Sequence, residues 1–270
     1  MLIVGLGLIG GSIALGLRRA APARISLWGA DLRAGLAEVD EPTLFDRLID
    51  VSAPEFERAA ADAQLVILAA PIPAIEALLI RVGEATAVTD CGSAKLHICR
   101  RAEELRMKQF VGGHPMAGKE RGGFEYATAT LFQGRSWFIC PTPLSSQAAI
   151  NATLALAQTL GARPELVSAA EHDAGVALTS HVNQLLASAM LKLAGSDRRR
   201  FAGPGFEDAT RVAGGAESMW SGILARNSGQ VATALAELER ELARVREGLE
   251  RADVAPALEL LAVARRLKRW

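Results

Sequence analysis

The first twelve residues, MLIVGLGLIGGS, join a short apolar run to glycines at positions 5, 7 and 10. An apolar strand that feeds G-x-G-x-x-G and then a helix is a turn shaped for the pyrophosphate of a dinucleotide. Gly5 permits the tight turn, Gly7 lets the backbone approach the phosphates, and Gly10 lets helix and strand pack closely. The helix expected over residues 10–19 offers unpaired N–H groups and its positive dipole end to the same anion, with Leu8 and Ile9 in the turn beside it. A second strand-like run, residues 25–30, ends at Asp31, where a carboxylate should accept from the adenine ribose. That carboxylate favours NAD and repels a 2′-phosphate, while Arg33 softens the preference and leaves NADP possible. A glycine-rich turn in an ordinary α/β protein is the plainer alternative, and the placement of Asp31 argues against it.

The 270 residues, half of them apolar, are enough for two domains or one large one, with ample core. Charge is balanced at 30 basic against 30 acidic residues, which leaves no footprint for nucleic acid. Cys91, Cys99 and Cys140 are odd in number and lack paired ligand spacing, so they read as reduced thiols and no metal site is expected. The chain opens on its first strand without room for a cleavable signal, and no apolar run reaches the eighteen or so residues of a membrane span. A cytoplasmic protein with no membrane partner is expected.

Residues 32–63 are mixed and polar, with helix-like pieces at 32–39 and 55–61, and read as crossover and surface. Residues 65–70, LVILAA, form a continuous apolar run stopped by Pro71 and Pro73, as in a strand buried on both faces. A helix over 74–82, a strand over 85–89 ending in DCGSAK, a strand over 109–112 ending in GHPMAGKERGG, and a strand over 136–140 follow. In an open α/β sheet ligands bind beyond the carboxyl ends of the strands, so the glycine turn, Asp31, Ala70, Pro71, Ser93 and His114 should share one crevice.

From about residue 145 the texture turns to alanine- and leucine-rich helix, expected over 148–160, 169–193 and 206–212. The expected architecture is an α/β nucleotide-binding domain over 1–143 and an all-helical domain over 144–270. Ser180, His181 and Gln184 share one face of the long helix. Val231, Leu235, Leu238, Leu242, Val245 and Leu249 form a seam of 3.5 period, suited either to core packing or to a subunit interface.

A bound nicotinamide implies hydride transfer, and oxidising an alcohol also needs a base in the histidine range. His97 and His172 read as structural, whereas His114, in a glycine-bounded turn at the sheet's end, is the candidate base. Ser93 can hydrogen-bond the same hydroxyl, though a serine in such a turn is also an ordinary cap. Arg211, three residues after Asp208, suits either a packed ion pair or a fork for a substrate carboxylate.

The blocks GLGLIGGS, DCGSAK, GGHPMAGKERGG, AEHD, LTSH and FEDATRVA, with Trp220 and Asn227 downstream, occur in an order that resembles the prephenate and arogenate dehydrogenase family. The resemblance implies a Rossmann domain, a helical domain that also makes a homodimer, and NAD-dependent oxidative decarboxylation. In that reaction hydride leaves ring C4, the 4-hydroxyl loses its proton and the ring carboxylate departs as carbon dioxide. It implies prephenate or arogenate as the small-molecule substrate; prephenate, giving 4-hydroxyphenylpyruvate for tyrosine synthesis, is the one expected here, with arogenate as the alternative. It also implies His114 as base, Ser93 beside the reacting hydroxyl, and Arg211 on a carboxylate. Glu120 would stand at the site entrance, and Ser180, His181, Gln184 and Trp220 near the substrate. Where the family often has S-H-x-P-H, this chain has Ser180, His181, Val182, Asn183 and Gln184, without the proline and second histidine. Two other readings are a β-hydroxyacid dehydrogenase, for which Lys192 lacks the needed surroundings, and a nucleotide-binding module without turnover.

Overall fold

A computed structural model describes residues 1–20, 25–39, 42–119 and 121–268. The sheet-bearing half contains β1 (Leu2–Val4), α1 (Leu8–Ala20), β2 (Trp28–Asp31), α2 (Arg33–Ala37), β3 (Arg47–Asp50), α3 (Glu55–Asp62), β4 (Val66–Leu68) and α4 (Ile72–Arg81). It continues through β5 (Val88–Asp90), α5 (Leu96–Glu104), β6 (Phe110–Pro115), β7 (Ser136–Pro141), α6 (Gln147–Thr159) and β8 (Arg163–Leu166). The strands lie in the order β3-β2-β1-β4-β5-β6-β7-β8. From β3 to β6 neighbouring strands are parallel, β7 is antiparallel to β6, and β8 is parallel to β7.

The central strands are apolar without interruption because both of their faces are covered. Leu2, Val4, Val66 and Leu68 pack with Ile72, Ile75 and Ile98 on one side. Ile3 and Ile67 pack with Ile13, Leu17, Val111 and Trp137 on the other. The order in which successive strands are added reverses between β1 and β4, and that switch point opens the crevice at their carboxyl ends.

Two strands lie where sequence patterning did not place them. β3 falls in the stretch read as crossover and surface; it is an edge strand with an exposed Arg47, so it lacks a two-faced apolar run. β8, with Pro164 and mostly exposed residues, is the opposite edge, where proline costs no ladder bond. The sheet-bearing unit continues past residue 143. Ala149, Leu156 and Ala157 of α6 belong to the same core as Trp137 and Ile139, and β8 extends the sheet to Leu166.

The remainder is helical: α7 (Ala169–Val176), a π-helical turn (Ala177–Val182), α8 (Asn183–Arg199), α9 (Pro204–Thr210), a 3₁₀ turn (Arg211–Gly214), α10 (Glu217–Glu250) and α11 (Ala255–Leu267). Ser168 caps α7, its Oγ accepting from the Glu171 N–H at 3.1 Å. The single helix expected over 169–193 is thus two α-helices joined by a π turn, and the second runs to Arg199 through a non-helical Gly195. The seam on α10 divides. Val231, with Leu235 and Leu238, packs on Ala177 and Val182, whereas Leu242 and Leu249 remain about half exposed. No helix among the described residues is long and apolar enough to cross a membrane.

Candidate active site

The glycine turn has the steric requirements that its sequence implies. Gly5 sits at φ +93°, and a Cβ there would meet the Ala69 carbonyl oxygen at 2.5 Å. A Cβ on Gly10 would stand 1.8 Å from the Gly5 oxygen, while one on Gly7 would face open space. Those are the conditions for a tight turn, a close helix contact and an approach for phosphate, in that order. α1 begins at Leu8, followed by Ile9, so its amino end opens on the crevice. Asp31 closes β2; its carboxylate accepts from Leu6 N–H and Leu32 N–H, each at 2.7 Å, and keeps lone pairs for a ribose hydroxyl. Arg33 is exposed at the start of α2, and Ala70 and Pro71 follow β4 beside Gly5. These residues fit an NAD-type dinucleotide.

The DCGSAK loop is folded around a buried charge pair that sequence reasoning did not single out. Lys95 Nζ bonds the Asp90 carboxylate and donates to the Gly113 carbonyl at 2.9 Å, with both side chains fully buried. Asp90 also accepts from Gly92 N–H at 2.7 Å and Gly113 N–H at 3.1 Å. The loop carrying Ser93 is thereby tied to the end of β6.

His114 lies within β6, paired in register with Phe138, and not in a turn beyond a shorter strand as expected. The antiparallel partner β7 extends the ladder through the glycines. His114 is buried, and desolvation first, then the neighbouring His172, Lys95 and His181, hold its pKa well below the usual imidazole value. Its Nδ1 lies 2.8 Å from Nε2 of His172, whose Nδ1 lies 2.7 Å from the Asp173 carboxylate. Asp173 in turn accepts from the backbone N–H groups of Lys95 at 2.7 Å and Leu96 at 2.9 Å. His172 is therefore no isolated helix residue: α7 brings it onto the candidate base. Nothing local in AEHD signals this, because the partner is 58 residues away. His97, by contrast, is exposed on α5.

Around this centre the helical half supplies polar groups. His181, at 1% exposure, has Nδ1 3.2 Å from the Asn227 amide nitrogen, which also donates to the Asp173 carbonyl at 2.8 Å. Burial lowers the His181 pKa to about 4. The His181 and Trp220 rings meet edge to face at 5.8 Å, and His181 Nε2 and Trp220 Nε1 are buried without a partner. Gly215 touches both Trp220 and Gln184: a Cβ there would be 2.3 Å from Trp220 Nε1 and 3.3 Å from Gln184 Nε2. Ser180 is half-buried in the π turn. Arg211 is exposed on the 3₁₀ turn that follows α9, not on the helix expected over 206–212. Glu120 lies outside the described residues. A cavity of about 600 Å³ lined by Met116, Arg135, Phe138, Val176 and Thr179 meets this cluster at His172.

A doubly covered parallel sheet with this glycine turn, facing a helical unit whose polar groups reach the same strand ends, defines a two-domain dinucleotide-binding protein of the dehydrogenase type. Residues 13–166 match the prephenate dehydrogenase nucleotide-binding domain, and residues 168–263 match the prephenate dehydrogenase dimerization domain. The chain belongs to the prephenate dehydrogenase family. It is 29% identical over 266 residues to a prephenate dehydrogenase of Bacillus subtilis, covering 94% of this chain and 71% of that protein. A crystal structure of prephenate dehydrogenase from Aquifex aeolicus with hydroxyphenyl propionate and NAD+ superposes with a TM-score of 0.88 at 27% identity, covering 99% of this chain and 96% of that one. An arogenate dehydrogenase from Synechocystis gives a TM-score of 0.78 at 26% identity, covering 99% and 98%.

Proposed function

We propose that this protein is an NAD-dependent prephenate dehydrogenase, acting as a homodimer in the cytoplasm, with a nucleotide-binding unit over residues 1–166 and a substrate unit over 168–268. The observation that carries the reading is His114: a buried histidine at the carboxyl end of β6, its pKa held well below the usual imidazole value by burial. A neutral imidazole there can take a hydroxyl proton.

Bound NAD supplies the hydride acceptor. His114 removes the proton of the ring 4-hydroxyl, and Ser93 hydrogen-bonds that oxygen. As the ring carboxylate leaves, the electrons of its C–C bond pass through the ring to the C4 oxygen, and His114 returns the proton to the phenolate. Arg211 binds a substrate carboxylate, and His181, Gln184 and Trp220 offer neutral groups to the rest, with Ser180 at the margin. Pairing through the helical unit is supported by exposed apolar side chains on α11, where Leu258, Leu261 and Leu267 are each about 60% exposed.

Arogenate is the second reading, favoured by the neutrality of His181 and Gln184, which would not repel the ammonium that arogenate carries in place of the keto group. Absorbance at 340 nm on adding each compound with NAD tests both. NADH formation with prephenate at the higher catalytic efficiency is expected. A tenfold advantage for arogenate replaces the substrate, and silence with both refutes the activity.

A further inference from the structure

We propose that His172 and Asp173 are positioning residues that fix the tautomer of His114, leaving its Nε2 bare as the atom that accepts the proton. This rests on the reading of His114 as the base. Asp173 is the fixed point of the pair. Its carboxylate accepts from Lys95 N–H and Leu96 N–H at the start of α5, so it is held as an acceptor. The group facing it, His172 Nδ1 at 2.7 Å, must then carry the hydrogen. A neutral His172 has only one such hydrogen, so its Nε2 is a lone pair. The 2.8 Å contact to that lone pair requires the hydrogen of His114 on Nδ1. Only Nε2 of His114 remains to act as base. The order of protons is forced as long as both rings are neutral, and the burial of both favours that state. Phe138 meets the His172 ring edge to face at 5.4 Å and limits its rotation. The charged and titratable groups around the pair are Lys95 with Asp90 from the β5–α5 loop, Asp173 on α7, and His181 on the π turn.

Two measurements on the full chain test this. Histidine ¹⁵N NMR of the wild type near pH 7, assigned with single histidine variants, should show His114 and His172 both protonated on Nδ1. Protonation of His114 on Nε2 overturns the proposal. Steady-state kinetics then compare His172→Gln with His172→Leu. The glutamine amide oxygen can stand where Nε2 stood and accept from His114 Nδ1, whereas leucine only fills the space. We expect His172→Leu to lower kcat about a hundredfold with KM within about threefold, and His172→Gln to recover at least tenfold of that loss. Equal activity in the two variants, or leucine above glutamine, means that His172 serves packing and overturns the proposal. His114→Asn separates the two levels. Full turnover in that variant removes the base assignment and this inference with it; an inactive His114→Asn beside an unimpaired His172→Leu removes only the inference.

Discussion

Gly10 has no room for any side chain, since even a methyl group would overlap the Gly5 carbonyl oxygen. Gly10→Ala should therefore abolish NAD binding in a fluorescence titration, whereas Gly7→Ala, which meets no protein atom, should weaken NAD binding with little change in melting temperature. Asp31→Ser should narrow the ratio of catalytic efficiencies with NAD and NADP, and an unchanged ratio would separate Asp31 from the ribose. Arg211→Ala should weaken either substrate by about 1.5–3 kcal/mol, the range for a charged hydrogen-bonded pair, and Arg211→Lys should recover only part because the fork is lost. His181, three residues before Gln184, stays neutral between pH 6 and 8 because burial lowers its pKa to about 4. Substrate KM should be flat over that interval, and Gln184→His should make it fall as pH drops through about 6.5. At this scale the glycines and His114 were legible because their signals are short and local. The Asp90–Lys95 pair and the His172–Asp173 contacts were not. Lys95 meets Asp173 across 78 residues, and no spacing rule announces a partner that only the fold brings near.

The central strands and their flanking helices could be read from apolar runs, but the edges could not. β3 and β8 are half-exposed, and patterning sees burial before it sees pairing. The junction of the two units was equally hidden. Arg226 of α10 donates three bonds of 2.7, 2.8 and 3.1 Å to the Glu76 carboxylate of α4, and Gly222 lies where a Cβ would be 3.2 Å from Pro73. The ion pair is partly solvated, so Glu76→Gln should cost only about 0.5–1 kcal/mol in a denaturant titration. Gly222→Leu is different: it should wedge α10 from α4, lowering kcat by tenfold or more while NAD affinity stays within about twofold. Equal losses in both would mean that the wedge disturbs the nucleotide half instead.

For the molecule as a whole, three buried histidines tie stability to acidity. His114, His172 and His181 each have a folded pKa below the unfolded value of about 6.5, so the unfolded chain binds more protons as pH falls through that value. Their contribution is fully present above about 6.5 and is lost on acidification, for His181 down to about 4. Unfolding free energy should be flat above pH 7 and fall between 6.5 and 4, with His181→Gln reducing the slope by up to about 1.4 kcal/mol per pH unit. The exposed leucines of α11 give a second test at this scale: Leu258→Glu with Leu261→Glu should produce monomers in sedimentation while leaving the monomer folded by circular dichroism. The π turn at Ala177–Val182 bears on inheritance. A π turn holds one residue more than the α-turn it replaces, and an α-helix rotates about 100° per residue. Loss of a single codon within it would not merely shorten the protein. It would turn the π turn back into an ordinary α-turn and leave α8 facing as before, so a one-codon loss is absorbed here, whereas the same loss inside α8 would rotate every later residue of that helix by about 100°.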